Sequence, residues 1–197
     1  MRSKHAGGEP GSTRRLRWLI TVLGLMVLLA AGWPLVSRAV SGNQPAAAGL
    51  PLTIGLDSTH SAQFTLGRGW VIRSAESDPK QQWVLQRGPV DMSVTYVSLV
   101  NPAQASQLWP GLHNILRLGD SSAQLGQPAP LTSPQGGHGL TGTVSVNDRA
   151  GQAVVFPAAG EDFAIEIVSV APAENSQAAR TAAAQLVRSL RFPAAAL

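Results

Sequence analysis

Residues 91–119 read DMSVTYVSLVNPAQASQLWPGLHNILRLG, and the fold is decided there. Met92, Val94 and Tyr96 alternate with Ser93 and Thr95, the period of two that a β-strand imposes on its faces. Past Tyr96 the run Val97-Ser98-Leu99-Val100 becomes apolar on both sides, as a central strand requires. Asn101-Pro102 then offers an N-cap and first-turn pair. Leu108, Leu112, Ile115 and Leu116 follow at helical spacing, and Gly119 supplies a stop. Pro110 interrupts that pattern, so a kink or two short helices is expected.

Working outward towards the N-terminus, Gln82–Arg87 predicts a strand that reaches residue 91 through the Gly88-Pro89 turn. Earlier strands are expected at Gln63–Leu66 and Trp70–Ile72, joined by Gly67-Arg68-Gly69. Towards the C-terminus, residues 120–137 are rich in Gly, Pro, Ser and Gln and read as loop. Three strands follow at Gly139–Val146, Gly151–Phe156 and Phe163–Val170, the first two linked by an Asn147-Asp148 turn. Leu140, Val144 and Val146 share a face, as do Phe163, Ile165 and Ile167 with Glu166 between them. Pro172 opens a final helix whose Ala179, Ala182, Leu186, Val187 and Leu190 form one stripe, with Arg180 and Arg188 opposite. Strands, a crossing helix, more strands and a closing helix define an α+β fold, an antiparallel sheet with helices packed on it.

The Gly69-Trp70 pair after the first strand, the helix after the residue 91–100 strand and the closing Ser189-Leu190-Arg191-Phe192 resemble Mog1/PsbP-like domains over residues 60–193. The resemblance implies an α/β/α sandwich. It also implies a non-enzymatic accessory or binding role of the kind found among small secreted or membrane-anchored bacterial proteins. No catalytic residue carries over.

The chain has 197 residues and a formal charge of +4. Residues 1–41 hold Arg2, Lys4, Arg14, Arg15, Arg17 and Arg38 against Glu9, a net of +5, which leaves −1 for residues 42–197. The domain therefore has no electrostatic footprint for a phosphate backbone, and no nucleic-acid partner is expected. Residues 18–36, WLITVLGLMVLLAAGWPLV, carry no charge. As a helix they would span about 28 Å, close to the bilayer core of about 30 Å. Three arginines precede the span, one follows it, and Trp18 and Trp33 sit near its ends. That pattern predicts a membrane anchor with its N-terminus inside.

The expected organisation is a cytoplasmic basic tail (1–17), an anchor (18–36), a linker (37–53) with Pro45 and Pro51, and an extracytoplasmic globular domain (54–197). A cleaved signal peptide is the alternative, with small residues at Ser37-Arg38-Ala39 and Ala46-Ala47-Ala48. Arg14-Arg15 resembles a twin-arginine export signal only weakly, because Arg17 and Trp18 stand where apolar residues are preferred.

With no cysteine, disulfides and thiolate metal sites are excluded. No G-x-S-x-G, H-E-x-x-H, acidic calcium loop or phosphate-binding glycine loop is present, so neither cofactor nor catalysis is expected. His5 lies in the tail. His60, beside Asp57 and Ser58, reads as solvated loop, and His113 as the border of a helical apolar stripe. Glu161-Asp162 reads as a turn. His138, in Gln135-Gly136-Gly137-His138-Gly139, stands either in a hairpin turn or in a ligand- or partner-binding loop. Trp70 and Trp83 read as core, while Trp109 is either core or an exposed anchor for a partner. The expected function is membrane-tethered binding of a protein or envelope component. A cleaved ligand-binding protein, or an envelope hydrolase using His138 or His60, is the alternative.

Overall fold

A computed structural model describes residues 42–134, 136–158 and 162–192. The basic tail with His5, the apolar span 18–36, its flanking signals and the Glu161 turn lie outside the described residues. Among the described residues no helix is long and apolar enough to cross a membrane.

The described residues build eleven strands and two α-helices. These are β1 (Asn43–Pro45), β2 (Pro51–Gly55), β3 (Ser61–Thr65), β4 (Val71–Arg73), β5 (Gln82–Arg87), β6 (Val90–Ser98), α1 (Ala105–Gly119), β7 (Gln124–Leu125), β8 (Ala129–Thr132), β9 (His138–Val146), β10 (Arg149–Pro157), β11 (Phe163–Pro172) and α2 (Ser176–Ser189). One antiparallel sheet runs β1-β4-β5-β6-β11-β10-β9-β7, with β8 also pairing β9, and β2-β3 form a separate hairpin. The antiparallel sheet with helices on it agrees with the sequence reading, and β6 is central, but it ends at Ser98 and Val100 of the expected apolar run is 97 % exposed beyond it.

Register places side chains on two faces. On one, Ile165 and Ile167 of β11 join Val94, Met92, Val154 and Phe156 in the main core. Ala179, Ala182, Leu186 and Val187 of α2 cover part of it, and Leu52, Ile54 and Phe64 of the β2-β3 hairpin add to it. The alanines of the α2 stripe let the helix backbone come close to the sheet, and Leu190 completes the seal at 1 % exposure. On the other face Trp109 and Leu112 of α1 pack on Val144, Ala153 and Val155, with Leu140 and Val146 alongside. Two helical layers thus flank one sheet, the α/β/α arrangement.

Five expectations need correction. Residues 43–53 are part of the domain rather than a tether, since β1 and β2 lie there and Leu52 and Ile54 are 7 % and 0 % exposed. The Leu52-Thr53-Ile54 alternation is too short, amid Pro and Ala, to stand out. The helix begins at Ala105, not after Asn101. Gln104 caps it, its backbone N–H donating to Gln107 Oε1 at 2.8 Å in a reciprocal capping box. Pro110 sits within one helix rather than between two short ones, and the final helix begins at Ser176 because Pro172 still belongs to β11. Residues 120–137 hold the edge strands β7 and β8, whose brevity and Pro130 suit an edge position.

Candidate functional site

The groove at the upper end of the sheet, where β9 begins and β10 ends, has a volume of about 540 Å³. Pro102–Ser106 before and within the first turn of α1 form one wall, Gly136–Leu140 the other, and Pro157 and Ala158 the end. The β8–β9 hairpin shapes it: Ser133 N–H donates to Gly137 O, Gly136 N–H donates to Ser133 O, and Gly136 adopts φ 81°. Ser133, 5 % exposed, accepts the Gly137 N–H on its hydroxyl at 3.0 Å. Gly139 admits no side chain, because a Cβ there would lie 2.4 Å from Val155 O and 2.6 Å from Phe156 Cδ1.

His138 is the first residue of β9, directly after the hairpin turn that the sequence suggests, and it lines a wall of the groove. It is the one titratable side chain among the described lining residues. Trp109 is elsewhere. At 7 % exposure it fills the α1–sheet core, and its ring leaves room only for a glycine at 142. The exposed-anchor reading of Trp109 is corrected in favour of core.

Other expected residues fall as follows. Trp70 is buried beneath the Arg87 guanidinium, 4.8 Å from the ring centroid. Trp83 is half-buried and donates its indole N–H to Thr53 O at 2.9 Å. His113 is half-exposed on α1. His60 lies in an exposed Asx turn, where Asp57 Oδ1 accepts the backbone N–H groups of Thr59 and His60 at 2.8 and 2.7 Å. Those bonds, with the Thr59 hydroxyl and the His60 ring, hold the Asp57 carboxyl well below the ordinary carboxylate range. His60 Nε2 also lies 3.6 Å from Asp162. Its ring meets the edge of Phe163, which in turn contacts Tyr96 and Phe192. Burial, reinforced by the Asp162 and Asp57 charges, pushes the Tyr96 phenol up.

Sequence reasoning missed Glu166. Strand alternation puts it on the face opposite Ile165 and Ile167. That face carries α1, and Glu166 is 6 % exposed. Its neighbours in register are Thr95 on β6 and Val155 on β10. Burial alone pushes its carboxyl up to about 7, with no hydrogen bond or nearby charge contributing. Lower on the same face, Asp91 accepts from Arg149 at 2.6 Å through Oδ2, while its buried Oδ1 has no partner.

No protein-family model matches this chain, and no curated protein sequence matches it either. Solved structures do. The solution structure of cyanobacterial PsbP from Synechocystis sp. PCC 6803 is 12 % identical, covering 75 % of this chain and 95 % of that one with a TM-score of 0.53. The crystal structure of the Saccharomyces cerevisiae Ran-binding protein Mog1p is 13 % identical, covering 74 % and 96 %, with a TM-score of 0.49. The protein is thus an α+β protein built on an antiparallel sheet between helical layers. More narrowly, its described domain has the Mog1/PsbP-like fold.

Proposed function

We propose that this chain is a non-enzymatic binding domain, tethered outside the cytoplasmic membrane by residues 18–36, that contacts a protein or envelope component. The observation that carries the reading is the groove beside His138. It is lined mainly by Pro, Ala, Gly and Leu side chains, with His138 as its single titratable group among the described residues. Apolar walls with a few polar groups suit recognition, whereas acid–base catalysis needs a partner group within reach of the base. The uncharged span with its flanking arginines supports the tether, and the near-neutral domain supports a partner other than nucleic acid. The fold shared with PsbP is consistent with an accessory role.

The test is recovery of the full chain from membranes of its native cells after cross-linking, against a control carrying residues 1–42 alone. The expected result is an intact N-terminal sequence and a partner enriched only with the full chain. A chain beginning after residue 36 would sink the tether and favour the cleaved ligand-binding protein. No enrichment over the control would sink binding.

A further inference from the structure

Two connections of the fold meet at one histidine. His60 stands in the β2–β3 turn, and its Nδ1 lies 3.1 Å from each carboxylate oxygen of Asp57. Its Nε2 lies 3.6 Å from Asp162 Oδ1, in the β10–β11 connection. Phe163 meets the ring at 67°, with centroids 6.2 Å apart, and is itself stacked on Tyr96. The two carboxylates differ in reach. Asp57 belongs to the same turn and orients the ring, whereas the Asp162 contact joins two segments far apart in the chain. A neutral imidazole carries one N–H. With that hydrogen on Nδ1 and donated to Asp57, Nε2 turns a lone pair towards the Asp162 carboxylate, and the two repel. A second proton makes Nε2 a cationic donor facing an anion, and the contact becomes attractive.

The surrounding charges all act in one direction. Asp57 stays ionised, held low first by the His60 backbone N–H and then by the Thr59 hydroxyl. Among the described residues neither Asp57 nor Asp162 pairs with a lysine or arginine. Tyr96 is the other ionisable group beside the cluster, and burial, with the Asp162 and Asp57 charges, keeps its phenol protonated. Glu161, next to Asp162 in the sequence and outside the described residues, carries the same negative sign. Negative charge on both sides of the ring favours the imidazolium. The β10–β11 connection in turn reaches the groove at two points. Ala158 N–H donates to Phe163 O at 3.0 Å, and Leu99 N–H donates to Asp162 O at 2.7 Å. Pro157 and Ala158 form the end of the groove, and Leu99 leads into the Pro102–Ser106 wall.

We propose that His60 is a proton-operated clasp on the groove: its imidazolium ties the β2–β3 turn to Asp162, and loss of the proton loosens the segments that carry Ala158 and Leu99. The clasp stands on its own geometry, while its bearing on a partner rests on the reading of the groove as a binding site. Linkage sets the sign. A group that folding favours in its protonated form stabilises fully at low pH, and that contribution is lost as pH rises through its folded midpoint. The His60 and Asp162 side chains are 36 % and 52 % exposed, so the contact has the strength of a surface pair. That is enough to bias two loops and too little to unfold the sheet.

The test follows the His60 ring and the backbone amides of Leu99 and Ala158 by NMR against pH, in the full chain with labelled histidine, leucine and alanine. The ring is expected to titrate above the ordinary histidine midpoint of about 6.5, and both amides should move at that same midpoint. Asp162→Asn should lower the His60 midpoint by about half a pH unit, the scale of a surface charge pair. His60→Gln should abolish that movement of the amides, which separates it from titration of His138 or Glu166. Both substitutions fall on exposed side chains, and the parent titration needs neither. A His60 midpoint at or below about 6.5, amides that do not follow it, or a midpoint unmoved by Asp162→Asn overturns the proposal. If the clasp titrates as expected while the full chain enriches no partner, the binding reading falls and the clasp stands. A partner enriched alongside an ordinary His60 midpoint gives the reverse.

Discussion

Arg149, at the foot of β10, reaches past β11 to Asp91 on β6, its Nη2 2.6 Å from Oδ2. The same nitrogen lies 3.2 Å from Val170 O and 3.3 Å from Pro89 O. One guanidinium thus joins three strands at the lower end of the sheet. Both side chains are about a third exposed, at 33 % and 31 %, so the pair is neither a screened surface contact nor a dry one.

Arg149→Ala leaves Asp91 without its cation and two carbonyls without a donor. A loss of about 1–3 kcal/mol is expected in chemical denaturation. Arg180→Ala, on the exposed face of α2, is expected to stay within about 0.5 kcal/mol. Equal effects would contradict the bridging role.

Gly142→Ala tests the α1 core. The added Cβ would meet Trp109 Cζ2 at 2.7 Å and Gln127 O at 3.1 Å, so the ring or the helix must shift. Overpacking of this kind destabilises by about 1–3 kcal/mol. A melting temperature unchanged from the parent would show that α1 is not held against β9 as described.

Asn147 takes the left-handed conformation, φ 53°, at the β9–β10 turn. Its side chain donates to Asp120 Oδ2 at 2.7 Å and accepts from the Ser122 hydroxyl at 3.0 Å, clasping the turn to the end of α1. Hydrogen bonds from Ser122 first, and Asn147 next, hold the Asp120 carboxyl below its ordinary value. Asn147→Ala is expected to lose about 1–2 kcal/mol, through the lost bonds and the strained backbone. Asn147→Gly removes the strain and should lose less. Hydrogen exchange at residues 120–125 checks the clasp: both variants should speed it.

Glu166 gives the fold a dependence on pH. Its folded value is raised to about 7 from 4.5, so between those values the folded state holds a proton that the unfolded state has released. Stability therefore falls as pH rises from about 4.5 to about 7, then levels off from this group. In Glu166→Gln that component is absent. Denaturation midpoints measured at pH 5 and pH 8 should show the variant gaining on the parent at the higher pH. A constant difference would contradict the buried, unpaired state.

Much of this was readable beforehand because period two and period 3.6 were strong where strands and helices are long. The alternation of Met92, Val94 and Tyr96 and the stripe from Ala179 to Leu190 both describe their observed faces. Short elements were harder. β2 offers two apolar residues in five, and β7 and β8 are held by pairing to β9 rather than by any pattern of their own. The helix start was displaced because a Gln–Gln capping box outcompeted an Asn-Pro pair three residues earlier. His138 carried a signal, glycines on both sides, and it lines the groove. Glu166 carried none: a polar residue alternating with isoleucines looks solvent-facing until the position of α1 is known.

The most direct measurement follows the carboxyl carbon of Glu166 by NMR across pH 3 to 10 in the free, folded chain. A midpoint near 7 is expected, because this carboxyl is buried between β6 and β10 with no hydrogen bond or charge to favour its ionised form. A midpoint near the ordinary 4.5 would mean that the carboxylate is already solvated or paired. The burial of Glu166 between β6 and β10, on which the pH dependence rests, would then be contradicted.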